Sequence, residues 1–325
     1  RCAMNRIASI IGDELALVER SLIETISSRV EIINRVGSHI IASGGKRFRP
    51  LLYLLAAKGY DYRGADNIAL ACVFEYIHTA TLLHDDVIDH AEMRRGNSSA
   101  NALWGDRISV LVGDFLVSKA FSILVETGNV QAMQVISEAT TSLAEGETMQ
   151  TVRGGDLSLT EDEYLTIITN KTASLMAAAC QTGAIMGKAG PAAERCMKLY
   201  GLNLGIAFQM VDDTLDYVSD NRKFGKSLWK DLQGGKITLP LIHALQGAAE
   251  DERRIISDSL SRAEPDTGDA QRILQLINKY HGADYAFARA REYVGRAVDN
   301  LGGVSSPPVK DALTAAASYV VEREW

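Results

Sequence analysis

Leu82-Leu83-His84-Asp85-Asp86-Val87-Ile88-Asp89 is the stretch from which the fold is read. Its aspartates stand at i, i+1 and i+4, so a helix of 3.6 residues per turn gathers all three within about 100° of arc on one face. Three carboxylates this close repel one another unless cations lie among them, and Mg²⁺ is the usual occupant where phosphates supply the remaining oxygen ligands. The spacing returns in Phe208-Gln209-Met210-Val211-Asp212-Asp213-Thr214-Leu215-Asp216. One such ladder is more often a solvated acidic face. Both copies, however, sit among apolar neighbours (Leu82, Leu83, Val87, Ile88; Met210, Val211, Leu215), where a solvated face would carry Lys or Glu. An EF-hand loop is excluded, because it needs acids at alternate positions and a closing Glu. Two matching ladders far apart in sequence read as opposed walls of a single site.

Working outward, Ala65 to His90 reads as one long helix that delivers the first aspartates at its C-terminal end, with Ile68, Cys72, Phe74, Ile77 and Leu82 as its apolar surface. His78 lies seven positions before Asp85, almost two turns, hence on the same side. Residues 5 to 43 carry apolar residues at helical spacing and read as two amphipathic helices. Ser43-Gly44-Gly45 ends the second, and Pro50 suits the first turn of the next. Between them stand Lys46, Arg47 and Arg49, a basic loop in which glycine lets the backbone approach a ligand and the cations can converge on a phosphate. Arg94 and Arg95 follow Asp89 with no room for another element.

Further helical runs cover Arg107 to Glu126, Ala132 to Val152 and Tyr164 to Gly187, the last built on Ala173, Ala177, Ala178 and Ala179, which permit close helix packing. From Ala248 onward, runs at Ile255 to Ala263, Asp269 to Tyr280, Ala283 to Leu301 and Val309 to Glu324 read as scaffold. At 325 residues with no linker or charge block, one large all-α domain over residues 1–325 is expected. A net charge of −7 argues against a nucleic-acid surface. The four cysteines form no CxxC pair and read as reduced, packed thiols of a cytoplasmic protein. No signal peptide is read, and no run approaches about 18 uninterrupted apolar residues; Leu175 to Met186 comes nearest. A protein that does not span a membrane is expected.

Asp85-Asp86-Val87-Ile88-Asp89 followed by Met93-Arg94-Arg95-Gly96, with Gly44-Gly45-Lys46-Arg47-Phe48-Arg49-Pro50 upstream and Asp212-Asp213-Thr214-Leu215-Asp216 downstream, resembles the trans-polyprenyl diphosphate synthases. Within them it is most similar to the long-chain, octaprenyl-type enzymes. The ordered match runs from about Gly44 to Pro240. It implies the all-α isoprenoid synthase bundle around a central active-site cavity, and a homodimer. It also implies Mg²⁺, three ions with substrate bound, on Asp85, Asp86, Asp89, Asp212, Asp213 and Asp216. Lys46, Arg49, His78 and Arg95 then match the isopentenyl diphosphate site, and Arg94 faces the allylic diphosphate, farnesyl or similar. Lys171-Thr172 matches the family's phosphate-contacting pair, Gln209 the glutamine that accompanies the second aspartates, and Lys226 and Lys236 remain as candidate phosphate clamps. Trp229 stands where the family usually has a glycine, which changes the loop that Lys226 opens.

The resemblance implies head-to-tail 1'-4 condensation of isopentenyl diphosphate with an allylic diphosphate. Its product would be a long all-trans chain for a quinone, handed on to a membrane. A short-chain farnesyl or geranylgeranyl synthase remains the nearer alternative. A class I terpene cyclase needs no isopentenyl site and normally carries an Asn/Ser/Glu second motif. A non-catalytic partner subunit of a heteromeric synthase has no reason to keep both ladders.

Product length is read from the helix that carries the first aspartates. A tail growing back from Asp85 passes Ala80 and Thr81 one turn earlier and Ile77 two turns earlier, with a floor near Phe74. Ala80 and Thr81 are small where short-chain relatives place an aromatic. Ala80→Tyr or Thr81→Phe should therefore shift the product ladder to farnesyl and geranylgeranyl lengths while the first condensation continues, as sized by chromatography of labelled products. An unchanged ladder from folded variants would withdraw the long-chain reading.

Overall fold

The computed structural model describes residues 2–218, 232, 235–261 and 268–322, and the chain folds into two compact units. The first unit comprises Arg1–Thr140, Leu175–Lys198 and Leu301–Ala315; the second comprises Thr141–Ser174, Leu199–Asn300 and Ala316–Trp325. Helices dominate both, as the 3.6-residue periodicity predicts.

In the first unit, α1 (Cys2–Glu24) and α2 (Glu31–Ala42) are the two amphipathic helices read from residues 5 to 43. They are followed by α3 (Phe48–Gly59) and α4 (Asn67–Ile88). Helix α4 is apolar nearly all round, the mark of a buried core helix: Leu70, Val73, Phe74, Ile77, Ala80 and Leu83 are each at most 1% exposed. Its aspartates come at the last turn, as expected. Helix α6 (Asp106–Glu126) packs along it, and Gly113 is a point of close approach, since a Cβ there would collide with His84 Nε2.

The segment after Asp89 holds an element that was not expected. Met93–Arg94 (β1) and Asn97–Ser98 (β2) form a two-residue antiparallel ribbon, with Met93 opposite Ser98 and Arg94 opposite Asn97. Arg95 (φ 51°) and Gly96 (φ 80°) are both left-handed, as a two-residue hairpin turn of the primed type requires. A pair this short leaves no alternating pattern to read in sequence. A short helix α5 (Ala100–Trp104) capped by Ser99 leads into α6.

Helix α7 (Val130–Val152) ends in the second unit, where α8 (Glu161–Ile168) begins on a reciprocal cap between Thr160 and Glu163. The single run expected from Tyr164 to Gly187 is divided. Residues Thr169–Ala173 form one π-helical turn between α8 and α9 (Ser174–Met186), a local widening often found at functional sites. Helix α10 (Pro191–Val218) carries the second aspartates near its end, followed by α11 (Leu239–Gly247), α12 (Glu250–Leu260), α13 (Asp269–Lys279) and α14 (Gly282–Asp299). Helix α15 (Pro307–Glu322) closes the order.

Among the described residues one helix is long and apolar enough to cross a membrane by length and composition, and it is α6 rather than the stretch near Leu175. Asp114 and Lys119 interrupt its apolar run, so the sequence shows no unbroken stretch there.

The alanine-rich run does pack as expected. Gly183 of α9 lies so close to α3 that a Cβ would meet Ala56 Cβ and Ala57 N at 2.6 Å and Tyr53 O at 2.9 Å. Gly183→Ala gains about 1 kcal/mol of helix propensity but overpacks two backbone atoms that cannot step aside, at about 1–3 kcal/mol or more. Net destabilisation is expected, read as a lower urea midpoint at unchanged m-value.

Candidate active site

Acids at the C-terminal end of a helix face the negative end of its dipole, so Asp85, Asp86 and Asp89 need cations. The structure supplies one. Arg94 on β1 reaches back to Asp86, its Nε donating to Oδ1 at 2.7 Å and Oδ2 at 2.9 Å, with Nη2 2.5 Å from Oδ1. The Asp86 side chain is 1% exposed, so both its oxygens are taken up by this fork. Asp85 and Asp89 are half-buried. The ladder is therefore unequal: one member is anchored inside the protein and two stand nearer its surface.

The basic loop meets the same hairpin. Arg95 Nη1 donates to Gly44 O, and it also lies against Gly45, whose φ of 156° favours glycine. His78 is the centre of this cationic group. Burial, then the positive charges of Arg49, Arg95, Arg94 and Arg47, hold its imidazole well below the ordinary histidine range, and it is neutral at physiological pH. Burial also lowers the pKa of Arg95, opposed by the Glu75 carboxylate. Arg49, His78 and Arg95, expected together from the resemblance, are thus brought together by α3, α4 and the hairpin turn.

Arg47 differs from its neighbours. It is 7% exposed and ion-paired to Glu19 and Glu75 at 2.7 and 2.8 Å. None of the three acquires a role from local sequence, because these partners are 28 positions from Arg47 on either side.

In the second unit, Lys171 and Thr172 stand on the π turn. Lys171 pairs with Glu147 at 2.5 Å, and the backbones approach so closely that a Cβ on Gly146 would lie 2.5 Å from Lys171 N. Thr172 Oγ1 donates to Gln209 Oε1 at 2.8 Å, and Gln209 Nε2 donates to Asp213 Oδ1 at 2.9 Å. Tyr164 OH donates to Asp213 Oδ2 at 2.6 Å. Both oxygens of Asp213 are therefore held by protein donors, as are those of Asp86 in the first ladder. Burial raises Asp213 to about 6, against the hydrogen bonds from Tyr164 and Gln209, with Asp212 adding to the rise and Lys236 opposing it. Burial beside that carboxylate pushes the Tyr164 hydroxyl well up, so it remains a donor. Tyr164 and Glu147 carry no signal in sequence, lying in ordinary helical stretches.

Of the proposed tunnel residues, Phe74, Ile77 and Ala80 are buried, with the Phe74 ring 5.6 Å from that of Tyr53. Thr81 is half-buried and its hydroxyl donates to His78 O at 2.7 Å. Lys226 and Trp229 lie outside the described residues. Among the described residues no three His, Cys, Asp or Glu side chains form a metal site by themselves.

The model of the polyprenyl synthetase family matches residues 30–277. The octaprenyl diphosphate synthase of Escherichia coli (strain K12) is 36% identical over 327 residues, covering 99% of each chain. Two solved structures are similar across the fold. A decaprenyl diphosphate synthase from Rhodobacter capsulatus superposes with TM-score 0.93 at 37% identity, covering 98% of this chain and 99% of that one. A polyprenyl synthase from Caulobacter crescentus CB15, complexed with calcium and isoprenyl diphosphate, gives TM-score 0.92 at 38% identity, covering 98% and 97%. The chain belongs to the polyprenyl synthetase family and has its all-α fold. It is a prenyltransferase that makes prenyl diphosphates.

The raised Asp213 yields a proton-linkage prediction. A cation arriving beside Asp212 favours the charged form of Asp213, so its pKa falls from about 6 on binding. Adding Mg²⁺ with an unreactive allylic diphosphate analogue at pH 6 should release about half a proton from this group, and none at pH 8 where it is already ionised. Calorimetry in buffers of different ionisation enthalpy reads this release, which should be missing in Asp213→Asn.

Proposed function

We propose that the protein joins isopentenyl diphosphate head to tail, 1'-4, to an allylic diphosphate and repeats the step to a long all-trans chain. The observation that carries this reading is the pairing, on one helix, of a neutral histidine ringed by four arginines with an aspartate ladder two turns further on. The first suits an anion that brings no metal, and the second an anion that does.

Lys46, Arg49, His78 and Arg95 hold the diphosphate of the isopentenyl substrate, leaving its double bond as the nucleophile. Asp85, Asp89, Asp212 and Asp216 are the ladder members that would hold Mg²⁺, while Asp86, buried on Arg94, and Asp213, held by Tyr164 and Gln209, serve as the anchors of each ladder. Bound there, Mg²⁺ would neutralise charge building on the allylic diphosphate as it leaves. Arg94 faces that diphosphate, with Asp86 as the counter-ion it otherwise keeps, and Lys171, Lys226 and Lys236 add positive charge. Thr172 and Gln209 present oxygen dipoles toward a developing allylic cation. The allylic C–O bond breaks, the new C–C bond forms, and the departing diphosphate takes the proton that restores a double bond.

A product longer than geranylgeranyl is favoured by the small Ala80 and Thr81, and a quinone side chain is its proposed use. Octaprenyl and decaprenyl products both appear among the relatives, so likeness leaves the length open. A homodimer is the proposed assembly, and Leu111 and Val125 of α6 are 58% and 61% exposed in the single chain. Farnesyl diphosphate, labelled isopentenyl diphosphate and Mg²⁺ supplied together should give long products, and excess EDTA should stop the reaction. Asp85→Ala and Asp212→Ala should each lower kcat by at least about a hundredfold with the melting temperature unchanged or raised, because a repelling carboxylate is removed from the metal-free protein. Near-normal turnover of either at saturating Mg²⁺ would remove the metal mechanism.

A further inference from the structure

Arg47 stands between two residues of the isopentenyl diphosphate site, yet its own guanidinium is spent. Its Nε donates to Glu19 Oε1 at 2.7 Å and its Nη2 to Glu19 Oε2 at 3.1 Å. Nη1 donates to Glu75 Oε1 at 2.8 Å, and Nη2 also donates to Ile41 O at 2.8 Å. Four of five N–H groups are used, on three different helices. Glu19 is on α1, Ile41 is in the last turn of α2 where carbonyls lack helical partners, and Glu75 is on α4 three residues before His78. Arg47 itself is the N-cap of α3.

The backbone at Arg47 is left-handed (φ 46°, ψ 41°), a conformation that costs a residue with a side chain about 1 kcal/mol or more. The side-chain bonds to three helices hold the residue in place there. This turn sets the direction in which Lys46 leaves the loop and Arg49 enters the first turn of α3. Glu75, 3% exposed, also balances the cations above it, since its carboxylate opposes the burial that weakens the charge of Arg95.

We propose that Arg47 is the positioning residue of the isopentenyl diphosphate site: it binds no phosphate, and through Glu19, Glu75 and the Ile41 carbonyl it presets Lys46 and Arg49. The proposal rests on the reading of Lys46, Arg49, His78 and Arg95 as that site. It differs in sign from two simpler accounts. If Arg47 were only part of a positive field, removing the Glu19 charge would strengthen that field and tighten anion binding. If the cluster only held the fold together, its loss would lower stability and leave the two substrates' KM values in proportion.

The test uses the full-length protein and begins with Glu19→Gln, because the Glu19 side chain is 47% exposed and its replacement spares the buried pair with Glu75. Glu19→Gln should raise the Kd of isopentenyl diphosphate, titrated calorimetrically without Mg²⁺, and its KM by about fivefold, with the KM of farnesyl diphosphate within about twofold of wild type. Arg47→Lys, which keeps the charge but not the fork, should raise the isopentenyl KM by about tenfold or more with the same selectivity. Unchanged or tighter isopentenyl diphosphate binding in Glu19→Gln would overturn the proposal, as would equal rises in both KM values. Wild-type protein that fails to bind isopentenyl diphosphate at all would instead bring down the site reading beneath it.

Discussion

Like charges held close together are the constraint on which this structure depends. Around His78 stand Arg47, Arg49, Arg94 and Arg95, and such a group is tolerable inside a fold only if carboxylates meet it. Glu75 and Glu19 meet Arg47, and Asp86 meets Arg94. Arg95 is met by the Gly44 carbonyl of the basic loop. The acids at the end of α4 pose the same problem with the sign reversed, and there Arg94 meets the buried Asp86.

Helix α4 links the two. A rise of about 1.5 Å per residue puts Glu75, His78 and Asp85 along roughly 15 Å of one rod, so the anion group and the acid ladder are held at a set distance by backbone hydrogen bonds alone. The rod is rigid because it is buried on nearly every side, and α6 approaches it closely where Gly113 leaves room for His84. A site on such an element needs little reorganisation when ligands bind. The second aspartates use a different device, a chain of hydrogen bonds from the π turn at Thr172 through Gln209 to Asp213, closed by Tyr164. The extra residue in that turn rotates Lys171 and Thr172 relative to a regular helix, and the close contact of Gly205 with Ala173 shows how tightly α10 lies against it.

Much of the fold was legible from residues 5 to 43, 65 to 90 and 107 to 152, because a buried helical face prints its 3.6-residue period directly into the order of apolar side chains. The ribbon at Met93–Ser98 and the π turn at Thr169–Ala173 were not legible. Each is shorter than the window over which any period can be detected. The apolar character of α6 was likewise hidden by Asp114 and Lys119.

By itself the sequence determined the helical class, the two aspartate ladders and the set of basic residues, since these are local patterns of residue type and spacing. Only the tertiary structure decided which distant partner individual members of each set meet. Arg47 and Arg49 look alike in the chain, but Arg47 meets Glu19 and Glu75, each 28 positions away. Asp213 looks like Asp212, but it receives Tyr164 from 49 positions away. Whether a charge is buried and paired depends on what the rest of the chain brings to it, and no local spacing records that.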